Sequence, residues 1–315
     1  MRIRRERRSK VGVFMFRNLL QPGKTVYSQW FNEYRLDDKE IKALQTCLLG
    51  IFADFRKLCD DHGIGYMMWG GSLLGTVRHE GFIPWDDDID VMMFREDFDR
   101  FVGIMKEQQS LGKLSRLLLA IPFESKGYYF KIPKLYDINT LYESINYMGN
   151  PDYNMAGIDI FILERVPEIF LHRKIRYALY NFAYYASALC LDQVFPSPVI
   201  MEKSRKIKDV KRFYSFRRFL GAFFGGRAGM KFYLNICKGL SEYKKASPLR
   251  GIPSGTIREI FRAEDLSEPE KGRFCGYTVN IPKKYDRYLT YLYGDYMKIP
   301  PKEKREIHVA YRVRV

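Results

Sequence analysis

From Asp37 onward the apolar positions Ile41, Leu44, Leu48, Phe52, Phe55 and Cys59 recur at helical spacing until Gly63 ends the run, the period of a helix with one buried face. Asp37 followed three residues later by Glu40 is a capping signal, so the pattern predicts a helix over 37–61. The short apolar run 66–69 reads as a strand, Gly70-Gly71-Ser72 as a tight turn, 73–79 as a helix and 89–94 as a second strand. Phe98, Phe101, Val102 and Met105 supply the inner face of a helix over 96–108. Further strands are expected at 117–121, 128–135 and 157–163. Past Glu164 the chain changes to aromatic and basic helical stretches at 171–191, 201–219 and 232–243. A last strand in CGYTVNIPKK then leads into a helix over 285–292 and a proline-rich tail. The expected organisation is a basic segment at 1–35, a core domain of mixed strands and helices at 36–165, and a largely helical region at 166–315.

With 315 residues, 46% hydrophobic and 29% charged, the chain is that of a folded globular protein and not a disordered or low-complexity one. Its 53 Lys and Arg against 37 Asp and Glu leave a net charge of +16. This excess favours a phosphate-bearing or otherwise anionic partner: nucleic acid, nucleotide, anionic lipid or polyanionic glycan. The five cysteines, Cys47, Cys59, Cys190, Cys237 and Cys275, form no C-x-x-C pair and read as reduced and unligated, which fits a reducing compartment. The longest uncharged run, 177–191, is shorter than the roughly 20 residues a spanning helix needs. The N-terminus begins with a basic stretch, but its apolar run at 11–16 is too short for a signal peptide. The expectation is a cytoplasmic protein. Residues 1–35 alternate basic and apolar clusters, which suits either an anionic membrane surface or a solvated basic tail.

One segment runs against the basic composition: FIPWDDDIDVMM places Asp86, Asp87, Asp88 and Asp90 within five positions. Alternation along a strand would send Asp88 and Asp90 to one face while Ile89 and Val91 face the core. Paired carboxylates on a rigid strand suit a hard cation such as Mg²⁺, which takes oxygen ligands; the rival account is a solvated acidic turn. Gly70-Gly71-Ser72, between a strand and a helix, would let backbone N–H groups approach an anion. Asp159 lies in GIDIFIL, a charge inside an apolar strand pattern. Pairing across the sheet with a cation held by Asp88 and Asp90 would explain it; an edge strand with Asp159 in solvent is the alternative.

The order of helix, G-G-S, D-x-D strand and a later h-D-h strand resembles the nucleotidyltransferase fold. More closely, GGSLLGTVRHEGFIPWDDDIDV, then K-L-x-D-x-N-T at 134–140, GIDIF, and IPKKYDRYLTYLYGDYMKIPPKEKREIH resemble the LicD family of phosphotransferases, relatives of the fukutin-related ribitol-phosphate transferases. The resemblance implies an α+β fold, a nucleotidyltransferase-like mixed sheet flanked by helices. It also implies transfer of a phospho-alcohol, phosphocholine or ribitol phosphate, from a CDP-linked donor to a hydroxyl of a cell-surface glycan such as lipopolysaccharide or teichoic acid. Mg²⁺ or Mn²⁺ would be the cofactor. Asp88 and Asp90 then stand as catalytic metal ligands with Asp86 beside them, Asp159 as an assisting carboxylate, and Gly70, Gly71 and Ser72 at the donor phosphates. Arg78, His79, Lys131 and Lys134 are further candidates for donor binding, against structural or solvent-facing roles. Arg305 and His308, in the C-terminal motif, are expected to fold back towards the site. Leu163-Glu164 departs from the Pro-Leu-Asp common in the family at that place.

Three other readings compete. A nucleotidyltransferase acting on a nucleoside triphosphate would use the same fold. A metal-dependent glycosyltransferase shares the D-x-D but not the preceding G-G-S turn. A nucleic-acid-binding protein would account for the charge and the basic run 203–218, but no zinc finger, basic zipper or ribonucleoprotein motif is present. The enzyme reading, with a lipid-linked acceptor and contact at the inner face of the membrane, accounts for more of the motifs.

Overall fold

In a computed structural model, residues 30–145, 151–253, 255, 259–302, 305 and 309–315 are described. Helix α1 (Asp38–Asp61) starts on a full capping box: the Asp37 carboxylate accepts from the Lys39 and Glu40 amides while Glu40 accepts from the Asp37 amide. Strand β1 (Met67–Met68) leads into helix α2 (Gly70–His79) and strand β2 (Asp90–Phe94), followed by helix α3 (Arg95–Ser110). Strands β3 (Leu117–Ala120), β4 (Lys134–Asp137), β5 (Leu141–Ser144) and β6 (Gly157–Arg165) complete the first half.

The sheet runs β1-β2-β6-β4-β3, with β2 and β6 parallel and the remaining pairs antiparallel. Helix α1 lies against it through Leu44, Leu48, Ile51, Phe52 and Phe55, all 1% exposed or less, which is the stripe its spacing announces. Strand β6 is therefore central, and the edge-strand account of Asp159 is overturned: Asp90 is its register partner on one side and Lys134 on the other.

Helices α4 (Phe170–Val194), α5 (Pro198–Lys206), α6 (Lys208–Phe223) and α7 (Gly226–Ser241) form the helical region. The sheet continues past residue 165: β7 (Leu249–Gly251) pairs with the end of β6, and β8 (Ile260–Arg262) with β7. A hairpin, β9 (Glu270–Phe274) and β10 (Tyr277–Ile281), then helix α8 (Tyr285–Tyr293), bring Phe274, Val279, Ile281 and Leu289 into the main core. Strand β11 (Ala310–Arg314) pairs with β5.

Three local expectations need correction. Gly70-Gly71-Ser72 is the first turn of α2 and not a turn before it. The strand expected at 128–135 begins only at Lys134, because Pro133 has no amide to donate to a ladder; Tyr128 instead donates its hydroxyl to the Ile132 carbonyl. The helix expected over 201–219 is two helices separated at Ile207, whose backbone is extended (φ −117°, ψ 114°). All five cysteines are free, with Cys59, Cys190 and Cys237 buried and Cys275 exposed. Of the basic segment, residues 1–29 lie outside the described residues; Phe31 is buried with Val199, Tyr214 and Val309.

Candidate active site

Strand alternation and the α2 N-terminus bring the acidic residues together. Ile89 and Val91 are fully buried, which fixes β2 in the sheet and turns Asp90 to the opposite face. Asp90 is held from both sides: its amide donates to Ser72 Oγ at 2.8 Å and its carbonyl accepts from the Trp69 amide at 3.0 Å. Ser72 is thus a buried hydroxyl that sets the depth of Asp90. Asp159 is tied to the same strand, its amide donating to the Ile89 carbonyl at 2.8 Å.

The two glycines are small for a visible reason. Gly70 has φ +52°, a conformation that disfavours a side chain, and a Cβ there would run into the Asp90 carboxylate. A Cβ on Gly71 would sit 2.5 Å from Asp86 Oδ2. The α2 backbone and the carboxylates therefore share one tight space. Gly71→Ala is expected to lower turnover by ~10²-fold, the scale on which a ~1 Å displacement of reacting groups acts, with the melting temperature nearly unchanged. Wild-type turnover in Gly71→Ala would show that this close packing is irrelevant to the reaction.

Carboxylate oxygens of Asp86, Asp87 and Asp88 lie within 4.8 Å of one another. Asp87 is buried and accepts a hydrogen bond from the Tyr142 hydroxyl at 2.8 Å. Burial, then the Asp87 carboxylate, pushes the Tyr142 phenol well up, so it stays a donor. Neither Asp87 nor Tyr142 was expected in the site. Alternation would have turned Asp87 away, but the backbone at 86–89 is irregular, and nothing in the sequence announces that β5 reaches this loop. Gln45 on α1 steadies the loop from below, donating to the Asp86 carbonyl at 2.9 Å.

Burial, then Asp88, Asp159 and Asp86, holds the Asp90 carboxyl well above the usual carboxylate range. Burial is the larger cause, the cluster's own charge adds to it, and Lys134 opposes both. Lys134 Nζ pairs with Asp159 Oδ1 at 2.5 Å; burial, the largest single effect, would depress the ammonium, but Asp159, Tyr136 and Asp88 together raise the Lys134 pKa above its ordinary value. One lysine facing this many carboxylates leaves a net negative site in a basic protein. An all-oxygen donor set of this kind fits a hard divalent cation.

The other candidates stand elsewhere. Arg78 and His79 are at the far end of α2, about 10 Å along the helix from Gly71 at ~1.5 Å per residue. Arg78 donates to the Tyr296 carbonyl and to His79 Nε2, and burial lowers both pKa values. Lys131 is exposed on an irregular segment, its ammonium over the Tyr184 ring at 5.5 Å. In K-L-x-D-x-N-T, the Asp137 carboxylate accepts from the Asn139 amide at 3.0 Å and from Arg116, while Thr140 Oγ accepts from the Ala156 amide at 2.9 Å. That motif is a lock between β4 and β6. Arg305 does fold back: its guanidinium stacks 4.0 Å above the Trp85 ring, beside Asp86. His308 lies outside the described residues.

A cleft of about 940 Å³ opens next to Trp69, lined by Phe261, Tyr288, Tyr291, Asp265 and Asp286 among others. Trp69, Phe261 and Tyr288 pack edge to face, with centroids 4.6 to 5.8 Å apart. Because Trp69 immediately precedes Gly70, the cleft is continuous in sequence with the acidic site.

A mixed sheet with D-x-D at the start of one strand and a third carboxylate on its parallel neighbour, with G-G-S opening the adjoining helix, is the arrangement of a nucleotidyltransferase-like fold. Residues 63–164 match the family described as LicD/FKTN/FKRP, nucleotidyltransferase domain. The chain is 28% identical over 287 residues to the lipopolysaccharide cholinephosphotransferase LicD of Haemophilus influenzae, covering 85% of this chain and 95% of that protein. It is also 51% identical over 35 residues to the human ribitol 5-phosphate transferase FKRP, 11% of this chain and 7% of that one. An uncharacterized protein of Rickettsia typhi is 39% identical over 79 residues, 25% of this chain and 24% of that protein.

Proposed function

We propose that this enzyme transfers a phospho-alcohol from a CDP-linked donor to a hydroxyl of a cell-envelope glycan. The observation that carries the reading is the convergence of Asp86, Asp88, Asp90 and Asp159 beside the Gly70-Gly71 turn of α2, in a family whose relatives are a cholinephosphotransferase and a ribitol 5-phosphate transferase. Asp86, Asp87, Asp88 and Asp90 offer the oxygens that would hold Mg²⁺ or Mn²⁺. Such a cation, when bound, would neutralise charge on the donor phosphates.

The chain's own groups do the rest. The α2 N-terminus turns its first amides and its dipole towards the donor phosphates. Lys134 holds Asp159 at the sheet position opposite Asp90. Asp159 takes the proton of the acceptor hydroxyl as its oxygen forms a bond to the phosphorus that carries the alcohol. The bond between that phosphorus and the bridging oxygen breaks, and CMP leaves with the electron pair. The acceptor is a glycan, lipid-linked in this reading.

The aromatic cleft beside Trp69 favours a cationic alcohol such as choline over a polyol, since ring faces attract cations. Tyr291→Ala is expected to raise KM for CDP-choline by roughly 3- to 30-fold, equivalent to ~0.6–2 kcal/mol of cation–π attraction, while leaving CDP-ribitol unaffected. Equal effects on both donors would remove the cleft from alcohol recognition. The reaction itself is tested by mass spectrometry of mixtures holding a panel of CDP-alcohols and envelope glycans. CMP release with a phospho-alcohol mass added to the glycan is expected. Pyrophosphate release from a nucleoside triphosphate, with no CDP-alcohol consumed, would overturn the proposal in favour of nucleotidyl transfer.

A further inference from the structure

The helical region turns large apolar side chains outwards. Helix α4 buries Tyr177, Tyr180 and Ala183 against its neighbours, yet Ile175, Leu179 and Phe182, at helical spacing along its other side, are each at least half exposed. On α6, Phe216, Phe219 and Phe223 form a second stripe, the last two 65% and 76% exposed, and Phe232 on α7 is 60% exposed. These stripes are one surface. Phe182 meets Phe224 and Tyr233 at 6.2 Å, and Phe223 and Phe232 meet the same two rings at 5.6 and 5.3 Å. Scattered exposed apolar residues are ordinary, whereas a contiguous patch of this kind marks an interaction site.

The exposed charges around it are mostly basic, with Asp209 at the start of α6 the acidic exception. Lys211 and Arg212 on α6 and Arg227 and Lys231 on α7 are exposed, and α7 contains no acidic residue. Basic side chains flanking exposed aromatic and aliphatic ones are the pattern of a surface that rests in the headgroup layer of an anionic bilayer. Among the described residues no helix is long and apolar enough to cross a membrane, so the contact would be peripheral.

We infer that the outward faces of α4, α6 and α7 form a docking surface for an anionic lipid bilayer. The partial insertion of Phe219, Phe223 and Phe232 supplies the apolar term, and the four flanking cations supply a salt-sensitive one. The inference is independent of which phospho-alcohol is transferred. It gives the enzyme a place where lipid-linked acceptors would be met.

Co-sedimentation of the full chain with phosphatidylglycerol vesicles and with phosphatidylcholine vesicles tests it. At low salt the chain is expected to pellet with the first and much less with the second. Phe219→Ser with Phe223→Ser should reduce the partition at least ~10-fold, given the transfer free energy of two phenylalanine side chains, without lowering the melting temperature or turnover on a water-soluble acceptor. Lys231→Glu with Arg227→Glu should weaken the partition at low salt and flatten its dependence on salt. A chain that stays in the supernatant with anionic vesicles overturns the inference. So does a double serine variant that pellets like wild type while the glutamate variant does not, which would indicate a polyanion surface such as nucleic acid. A concentration-dependent dimer abolished by the serine substitutions would assign the patch to a second copy instead. Because the readout is sedimentation, its failure is distinct from a failure of the phosphotransfer reading.

Discussion

Asp88→Ala and Asp90→Ala are each expected to lower transfer by on the order of 10³-fold or more, since several kcal/mol of charge stabilisation would rest on the cation they are proposed to hold. The fold should survive. Asp90 is half-buried beside Asp88, Asp159 and Asp86, and desolvation together with these charges holds its carboxyl well above the usual range, so removing one charge relieves repulsion. In metal-free buffer Asp90→Asn is accordingly expected to unfold at a higher temperature than wild type. Mg²⁺ should stabilise the wild-type chain by ~2.7 kcal/mol at a hundredfold excess over Kd, seen as a rise in melting temperature that Asp88→Ala lacks. Excess chelator should abolish turnover and Mg²⁺ or Mn²⁺ restore it. Full turnover in chelator, or an Asp88→Ala chain with wild-type activity, would remove the metal from the mechanism.

Asp159→Asn is the second large effect: kcat is expected to fall at least ~10²-fold, the low end of what a positioned acid or base contributes, with KM for the donor little changed. Asparagine keeps the shape on β6 and the register against Asp90 and Lys134, so the loss would report charge and not packing. The same substitution leaves the Lys134 ammonium, 2.5 Å away, buried without its counter-charge, so a lower melting temperature should accompany the loss. Wild-type kcat in Asp159→Asn would make Asp159 structural only. A fall in kcat that Lys134→Met reproduces, with both variants melting early, would assign the effect to the ion pair and not to proton transfer.

Much of the fold was written in local patterns. The capped run from Asp37 gave α1 almost to the residue, because its stripe of Leu44, Leu48, Phe52 and Phe55 has a period that only a helix buries on one side. The alternation of Ile89, Asp90 and Val91 told which face the carboxylate takes, since successive side chains on a strand oppose each other. The sequence also announced the two glycines. Their purpose, leaving room for the Asp86 and Asp90 carboxylates, shows only once the chain is folded.

What tertiary structure alone decided is non-local. That Asp159 stands on the strand parallel to β2, across from Asp90 and beside Lys134, depends on a pairing between segments about seventy residues apart, which no periodicity encodes. Asp87 joins the site because the backbone at 86–89 leaves strand geometry and Tyr142 reaches it from β5. Arg78 and His79, close to Ser72 in the chain, are carried to the other end of a helix by its rise per residue. Arg305, more than two hundred residues away, is stacked on Trp85. By itself the sequence determined which residues could be buried and which chemistry was present. The order of strands in the sheet, a balance of many weak contacts between distant segments, determined which of those residues meet.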